Sequence, residues 1–271
     1  MIYEPETVKG FEDYLPPQSQ KREKIKEIAK KYFKLYGFLP VETPLIEFDE
    51  LMRSDTIGEE DEAVRDRFRL KDRANRNLGL RYEFTFQLSR IFKQNPNIKL
   101  PFKKYQIGEN FRDEPIRTGR TRQFTQCDVD IIGDSSVNAD VECISVVFDI
   151  LKELNITNIE LQINNRKLID EIIKSVQITE KQAVLREIDK IEKIGEDEVK
   201  ANLKKYADSN QILSLLKLME KDASFFKDNM FEGAQELTDL IKKCKEYGIK
   251  AKFNPRLMRG FNYYTGNIFE V

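Results

Sequence analysis

The stretch from Lys103 to Gly133 constrains this chain more than any other, because it reads as two strands joined by the arginine-rich loop DEPIRTGRTR. Side chains alternate between faces on an extended backbone. In the second strand Arg122, Phe124, Gln126, Asp128 and Asp130 therefore share one face, and Gln123, Thr125, Cys127, Val129 and Ile131 share the other. A solvated charged surface is the plain reading of such a strand. It gains nothing specific from a guanidinium, a ring, an amide and two carboxylates in turn, whereas a polar cleft needs that variety. The arginines at 112, 117, 120 and 122 suit a polyphosphate, since a planar guanidinium bonds phosphate in a bidentate way. Gly119 gives the loop a tight bend. Phe124 is either a platform for a nucleobase or a core residue.

The rest of the chain alternates helix and strand. Ile25, Ile28, Ala29, Tyr32, Phe33 and Tyr36 recur at helical spacing after a start near Gln18, and Gly37 ends that helix. Pro40 and Pro44 frame an extended segment, 39–46. Residues 64–70 and 78–85 read as strands, with a short helix from Thr85 that stops before Pro96. A long helix follows over about 137–154, then a strand at 158–163. Residues 167–248 read as helical and charged, and 257–271 return to strand-like composition. The expected domains are a core over 1–165, a helical insertion over 166–250, and a return to the core over 251–271.

Composition removes whole classes of chemistry. The chain has no histidine, so Ser-His-Asp triads, Cys-His pairs and histidine-ligated zinc are excluded. Three widely spaced cysteines match no zinc pattern and suit a reducing compartment. With 46 basic and 47 acidic residues, bulk positive charge cannot drive nucleic-acid binding. No P-loop or strand-linked GxGxxG occurs. No apolar run is long enough to span a bilayer, and the start MIYEPETVKG carries no signal peptide, so a cytoplasmic protein is expected.

Two further segments carry polar groups in an extended setting. In RYEFT, Arg81, Glu83 and Thr85 share a face, either as the polar side of a half-buried strand or with Glu83 and Thr85 as acceptors for an ammonium. In MRGFNYYTG, Arg259 stands beside Gly260, and the Tyr263–Tyr264 pair precedes Thr265–Gly266. A hairpin with core tyrosines is the competing reading there.

Together these segments resemble histidyl-tRNA synthetase, a class II aminoacyl-tRNA synthetase. KGFEDYLPP and GFLPVETPLIE are similar to the motif 1 region, RYEFT to the family's R-P-E-x-T element, and FRDEPIRTGRTRQFTQCDVDIIG to motif 2. MRGFNYYTG resembles the signature R-G-L-D-Y-Y-T-G, with Phe261 and Asn262 in place of Leu and Asp. The resemblance implies an α+β class, with a mostly antiparallel sheet flanked by helices and a helical insertion domain. It implies a ligase that activates histidine with ATP and Mg²⁺ to histidyl-adenylate and transfers it to tRNA(His).

Roles then follow by position. Arg112 and Arg259 would be the catalytic arginines at the α-phosphate. Arg112, Glu114, Arg120 and Phe124 would bind ATP. Glu83, Thr85, Arg112, Gln126, Asp130, Arg259, Tyr263 and Tyr264 would bind histidine, with Asp130 and Tyr264 at the imidazole. Asp128 receives no role, and no residue is assigned to a metal. The motif 1 region would form a homodimer.

The family's motif 3 and anticodon-binding domain do not follow the signature in this sequence. A fragment, an enzyme completed by a separate C-terminal polypeptide, and a shortened paralogue each account for that, and a fragment is favoured. The rival function is a histidine-sensing subunit resembling the synthetase-like regulatory subunit of ATP phosphoribosyltransferase. Such paralogues tend to erode the motif 2 arginines, which this chain keeps.

Overall fold

The computed structural model describes residues 5–52, 65–258 and 264–271. Helix α1 (Gln18–Leu35) presents Ile28, Ala29 and Phe33 as its buried stripe. It closes at Gly37, whose φ of 77° lies in the left-handed region that glycine adopts without a steric penalty. Strands β1 (Leu39–Pro40) and β2 (Ile46–Phe48) follow, and then β3 (Arg69–Lys71) and β4 (Asn77–Leu80). Helix α2 (Phe86–Gln94) leads to the long pair β5 (Phe102–Phe111) and β6 (Gln123–Ile132), after which comes α3 (Val137–Glu153).

The chain divides into two compact units, residues 1–135 with 142–157, and residues 136–141 with 158–271. In the first, β5 pairs antiparallel with β6 and parallel with β1, while β4 lies antiparallel between β2 and β3. One face of the β5–β6 hairpin is apolar, and Tyr105, Ile107, Val129 and Ile131 pack there with Ala29, Phe33, Phe38 and Val146. That packing fixes the register, because a slip of one residue would bury the opposite set.

In the second unit β7 (Leu161–Asn165) lies between a parallel β8 (Ala251–Phe253) and an antiparallel β9 (Asn267–Glu270). The residues between β7 and β8 form a run of helices. The first, α4 (Arg166–Ser175), is capped by Asn165, whose side chain accepts from the Lys167 and Leu168 amides. Leu161, Ile163, Leu168 and Phe226 are fully buried in this unit. No helix among the described residues is long and apolar enough to cross a membrane.

Three expected boundaries move. The strand expected over 64–70 is only Arg69–Lys71 among the described residues. The strand expected over 78–85 stops at Leu80, and Arg81, Tyr82, Glu83 and Phe84 are all buried instead of alternating between solvent and core. Arg81 accounts for this, since its side chain satisfies its donors within the protein. The strand expected at 158–163 is Leu161–Asn165. Val64, Arg259 and Tyr263 lie outside the described residues.

Candidate functional site

The second face of the β5–β6 hairpin is polar along its length. Antiparallel register sets Lys104 opposite Asp130, Gln106 opposite Asp128, Gly108 opposite Gln126, and Asn110 opposite Phe124. Directly opposed residues share a face, so the alternation seen in β6 continues in β5. Lys104 and Asn110 are 0% exposed, so this face is no solvated surface. Segment 81–84 covers it. A Cβ added at Gly108 would stand 3.0 Å from an Arg81 guanidinium nitrogen and 3.6 Å from the Phe84 ring.

Arg81 anchors that cover. Its Nε donates to Asn110 Oδ1 (2.9 Å), one terminal nitrogen to the Thr43 carbonyl (2.8 Å), and the other to the Glu109 carbonyl (2.7 Å). Burial lowers its proton affinity, and Glu109 and Glu47 oppose that effect. From Asn110 the bonds continue in one direction. Asn110 Nδ2 donates to Gln126 Oε1 (2.8 Å), and Gln126 Nε2 donates to Asp128 Oδ1 (2.8 Å). A donor-only guanidinium at one end and an acceptor carboxylate at the other fix both amides between them.

Arg112 lies just beyond β5, held by its amide donating to the Arg122 carbonyl (2.8 Å). Its guanidinium carbon is 4.4 Å from the Tyr82 ring centre and 5.0 Å from that of Phe124, which leaves a cation seated against two aromatic rings. Glu114 reaches toward it (3.9 Å) and toward Arg120 (3.4 Å). Gly10, Tyr14, Arg22, Arg120 and Phe124 line an open depression of about 540 Å³ at this end of the hairpin. At the other end, Lys104 Nζ stands 2.5 Å from Asp130 Oδ2. Burial, reinforced by the Asp130 charge, raises the Asp128 carboxyl above the usual carboxylate range, and the Gln126 bond and the charges of Lys104 and Arg112 oppose it.

Of the residues singled out from sequence, Arg112, Phe124, Gln126 and Asp130 lie on or beside this face, with Glu114 and Arg120 at its loop end. Glu83 is 4% exposed within the covering segment. Thr85 holds the N-cap position of α2 without a side-chain capping bond. Tyr264 belongs to the second unit and is half-buried. Arg259 and Tyr263 fall outside the described residues. Sequence reasoning missed Lys104, Gln106 and Asn110 and gave Asp128 a place on the face but no role. The signal for the first three is the spacing of KYQIGEN, in which Lys104, Gln106 and Asn110 fall on one face of the strand.

A model of the histidyl-tRNA synthetase family matches residues 10–271. The chain belongs to the histidyl-tRNA synthetase family. It is 42% identical over 282 residues to "Histidine--tRNA ligase 1" of Bacillus cereus, covering 99% of this chain and 64% of that relative. The chain thus spans less than two thirds of that relative's length. Among solved structures it resembles the histidyl-tRNA synthetase of Nostoc sp. PCC 7120, with a TM-score of 0.84, 25% identity, 99% of this chain covered and 65% of that one. It resembles in fold a Bacillus halodurans protein described as an ATP phosphoribosyltransferase regulatory subunit/histidyl-tRNA synthetase, with a TM-score of 0.84 and 21% identity over 99% of this chain and 73% of that one. The α+β class II fold expected from the motifs is the fold of these synthetase structures.

Proposed function

We propose that the polar hairpin face is where L-histidine is activated by MgATP to histidyl-adenylate, for transfer to tRNA(His). The supporting observation is the seat of Arg112, a cation against the Tyr82 and Phe124 rings whose charge also acts on Asp128. The histidine carboxylate is already a nucleophile at neutral pH and needs no base. It attacks the α-phosphorus, the bond to the bridging oxygen breaks, and pyrophosphate leaves with that electron pair. Negative charge grows on the non-bridging oxygens, and Arg112 is positioned to stabilise it. Arg259 is proposed to act on the same phosphate.

Glu83, Thr85 and Gln126 would take the α-amino group, and Asp130 with Tyr263 and Tyr264 the imidazole. Glu114, Arg120 and Phe124 would hold the nucleotide in the depression at the loop end. A carboxylate committed to ring N–H groups rejects side chains that lack them, by about 10⁴-fold or more. Mg²⁺ enters as part of the nucleotide substrate, and no group of three or more acidic or cysteine side chains among the described residues is arranged to hold a metal.

Leu39, Leu45, Ile46 and Phe48 are each about half exposed, which supports dimerisation through this motif 1 region. The charged helices of 166–250 are proposed as an insertion that contacts tRNA. The sensor reading draws on the Bacillus halodurans likeness, but the intact arginines at 112, 117, 120 and 122 favour the ligase. Histidine-dependent exchange of pyrophosphate into ATP tests this, with the chain alone and with a supplied C-terminal segment of the Bacillus cereus relative. Exchange in either case supports activation. Histidine binding without exchange in both cases supports the sensor.

A further inference from the structure

A fully buried lysine needs a reason. Lys104 is 0% exposed, and its Nζ meets Asp130 Oδ2 at 2.5 Å and the Phe84 ring at 5.9 Å from the centroid. Neither Nζ nor that oxygen has a well-aligned hydrogen bond among the described residues. A buried ammonium is unfavourable unless its charge is used. Asp128 and Asp130 sit two positions apart on the same face of β6, about 7 Å between Cα atoms. Alone, that doublet would favour a cationic ring.

We propose that Lys104 is a positioning residue that offsets one charge of the Asp128–Asp130 doublet while Arg112 offsets the other, so that the site accepts the imidazole of L-histidine uncharged and rejects imidazolium. This rests on the histidine-activation reading above. The charges that act on Asp128 are those of Asp130, Lys104 and Arg112, so two cations stand against two carboxylates. Glu109 and Glu47 are matched elsewhere, by Lys26 (3.6 Å) and Arg90 (2.5 Å). A neutral face fits the histidine zwitterion with an unprotonated ring, and the Lys104 contact leaves Asp130 Oδ1 to accept from a ring N–H. The raised Asp128 carboxyl is consistent with a doublet close to sharing a proton once its cation is removed.

Equilibrium dialysis of labelled L-histidine against the full chain, between about pH 5.5 and 8.5, tests this. The native chain should bind steadily above about pH 7 and lose affinity below it, as the free imidazole protonates near about 6.5. Lys104→Met should bind about tenfold or more weakly at pH 8 and recover toward acid pH. Lys104→Met/Asp128→Asn removes one charge of each sign and should regain the native pH profile, which a merely structural lysine would not predict. NMR of ring-labelled histidine on the native chain should show a neutral ring at pH 7, a readout that does not depend on how the variants fold. A native profile in Lys104→Met, an acid-shifted profile in the double variant, or a protonated bound ring overturns the inference alone. No histidine binding by the native chain overturns the activation reading and this inference together.

Discussion

Arg81 donates through Nε to Asn110 Oδ1 at 2.9 Å, and that bond sets the direction of the hydrogen bonds that run on through Gln126 to Asp128. Because the guanidinium can only donate, the Asn110 amide must turn its nitrogen toward Gln126, and Gln126 must turn its own toward Asp128. The covering segment and the polar face of the hairpin are thereby one hydrogen-bonded assembly.

Replacing Arg81 with Met should therefore act on stability and on the site at once. The change strands the buried Asn110 oxygen and the part-buried Thr43 and Glu109 carbonyls, and a fully buried acceptor left unpaired costs about 1–3 kcal/mol before relaxation. We expect a loss of about 3–5 kcal/mol in urea unfolding. A loss below about 1 kcal/mol would mean that water replaces the guanidinium without consequence.

Gly108 shows the same closeness through packing. A methyl there would lie 3.0 Å from the Arg81 guanidinium and 3.6 Å from Phe84. Gly108→Ala should destabilise by about 1–3 kcal/mol through overpacking. It should also weaken histidine binding, because the cover must lift away from Gln126. Unfolding and dialysis on the same variant check both effects, and a variant as stable as the native chain would contradict the close approach.

The hairpin was legible in the sequence because its side-chain period is strict and Gly119, at φ 76°, turns the loop as expected. The helix ending at Gly37 was legible for similar local reasons, and so was the polar turn between two strands near 71–77, though both strands are shorter than expected. RYEFT was misread past Leu80, since alternation in five residues cannot reveal that Arg81 finds partners inside the protein. Lys104 escaped notice because a lysine in KKYQ reads as solvated until the register places it against Asp130. Such facts live in the pairing of distant segments, and a single strand read alone does not carry them.

Asp128 gives a pH prediction with a definite sign. Its carboxyl is raised in the folded protein by burial first, so between the ordinary carboxylate range and that higher value the folded state binds more protons than the unfolded chain. Stability from this group therefore falls as pH rises through that window. Asp128→Asn, which still accepts from Gln126, should melt higher than the native chain at neutral pH. The gap should close as the pH falls through the ordinary carboxylate range, near about 3.9. Thermal melts of both proteins across that range check it, and a gap that stays constant with pH would count against a desolvated Asp128.

The most direct test of the account is L-histidine-driven exchange of pyrophosphate into ATP, native chain against Arg112→Met, each supplied with the C-terminal segment. Placing Arg112 at the α-phosphate predicts exchange with histidine and no other amino acid, and a loss of about 10²–10³-fold in the variant. Exchange that survives the substitution at the native rate, or that another amino acid drives equally well, would contradict it.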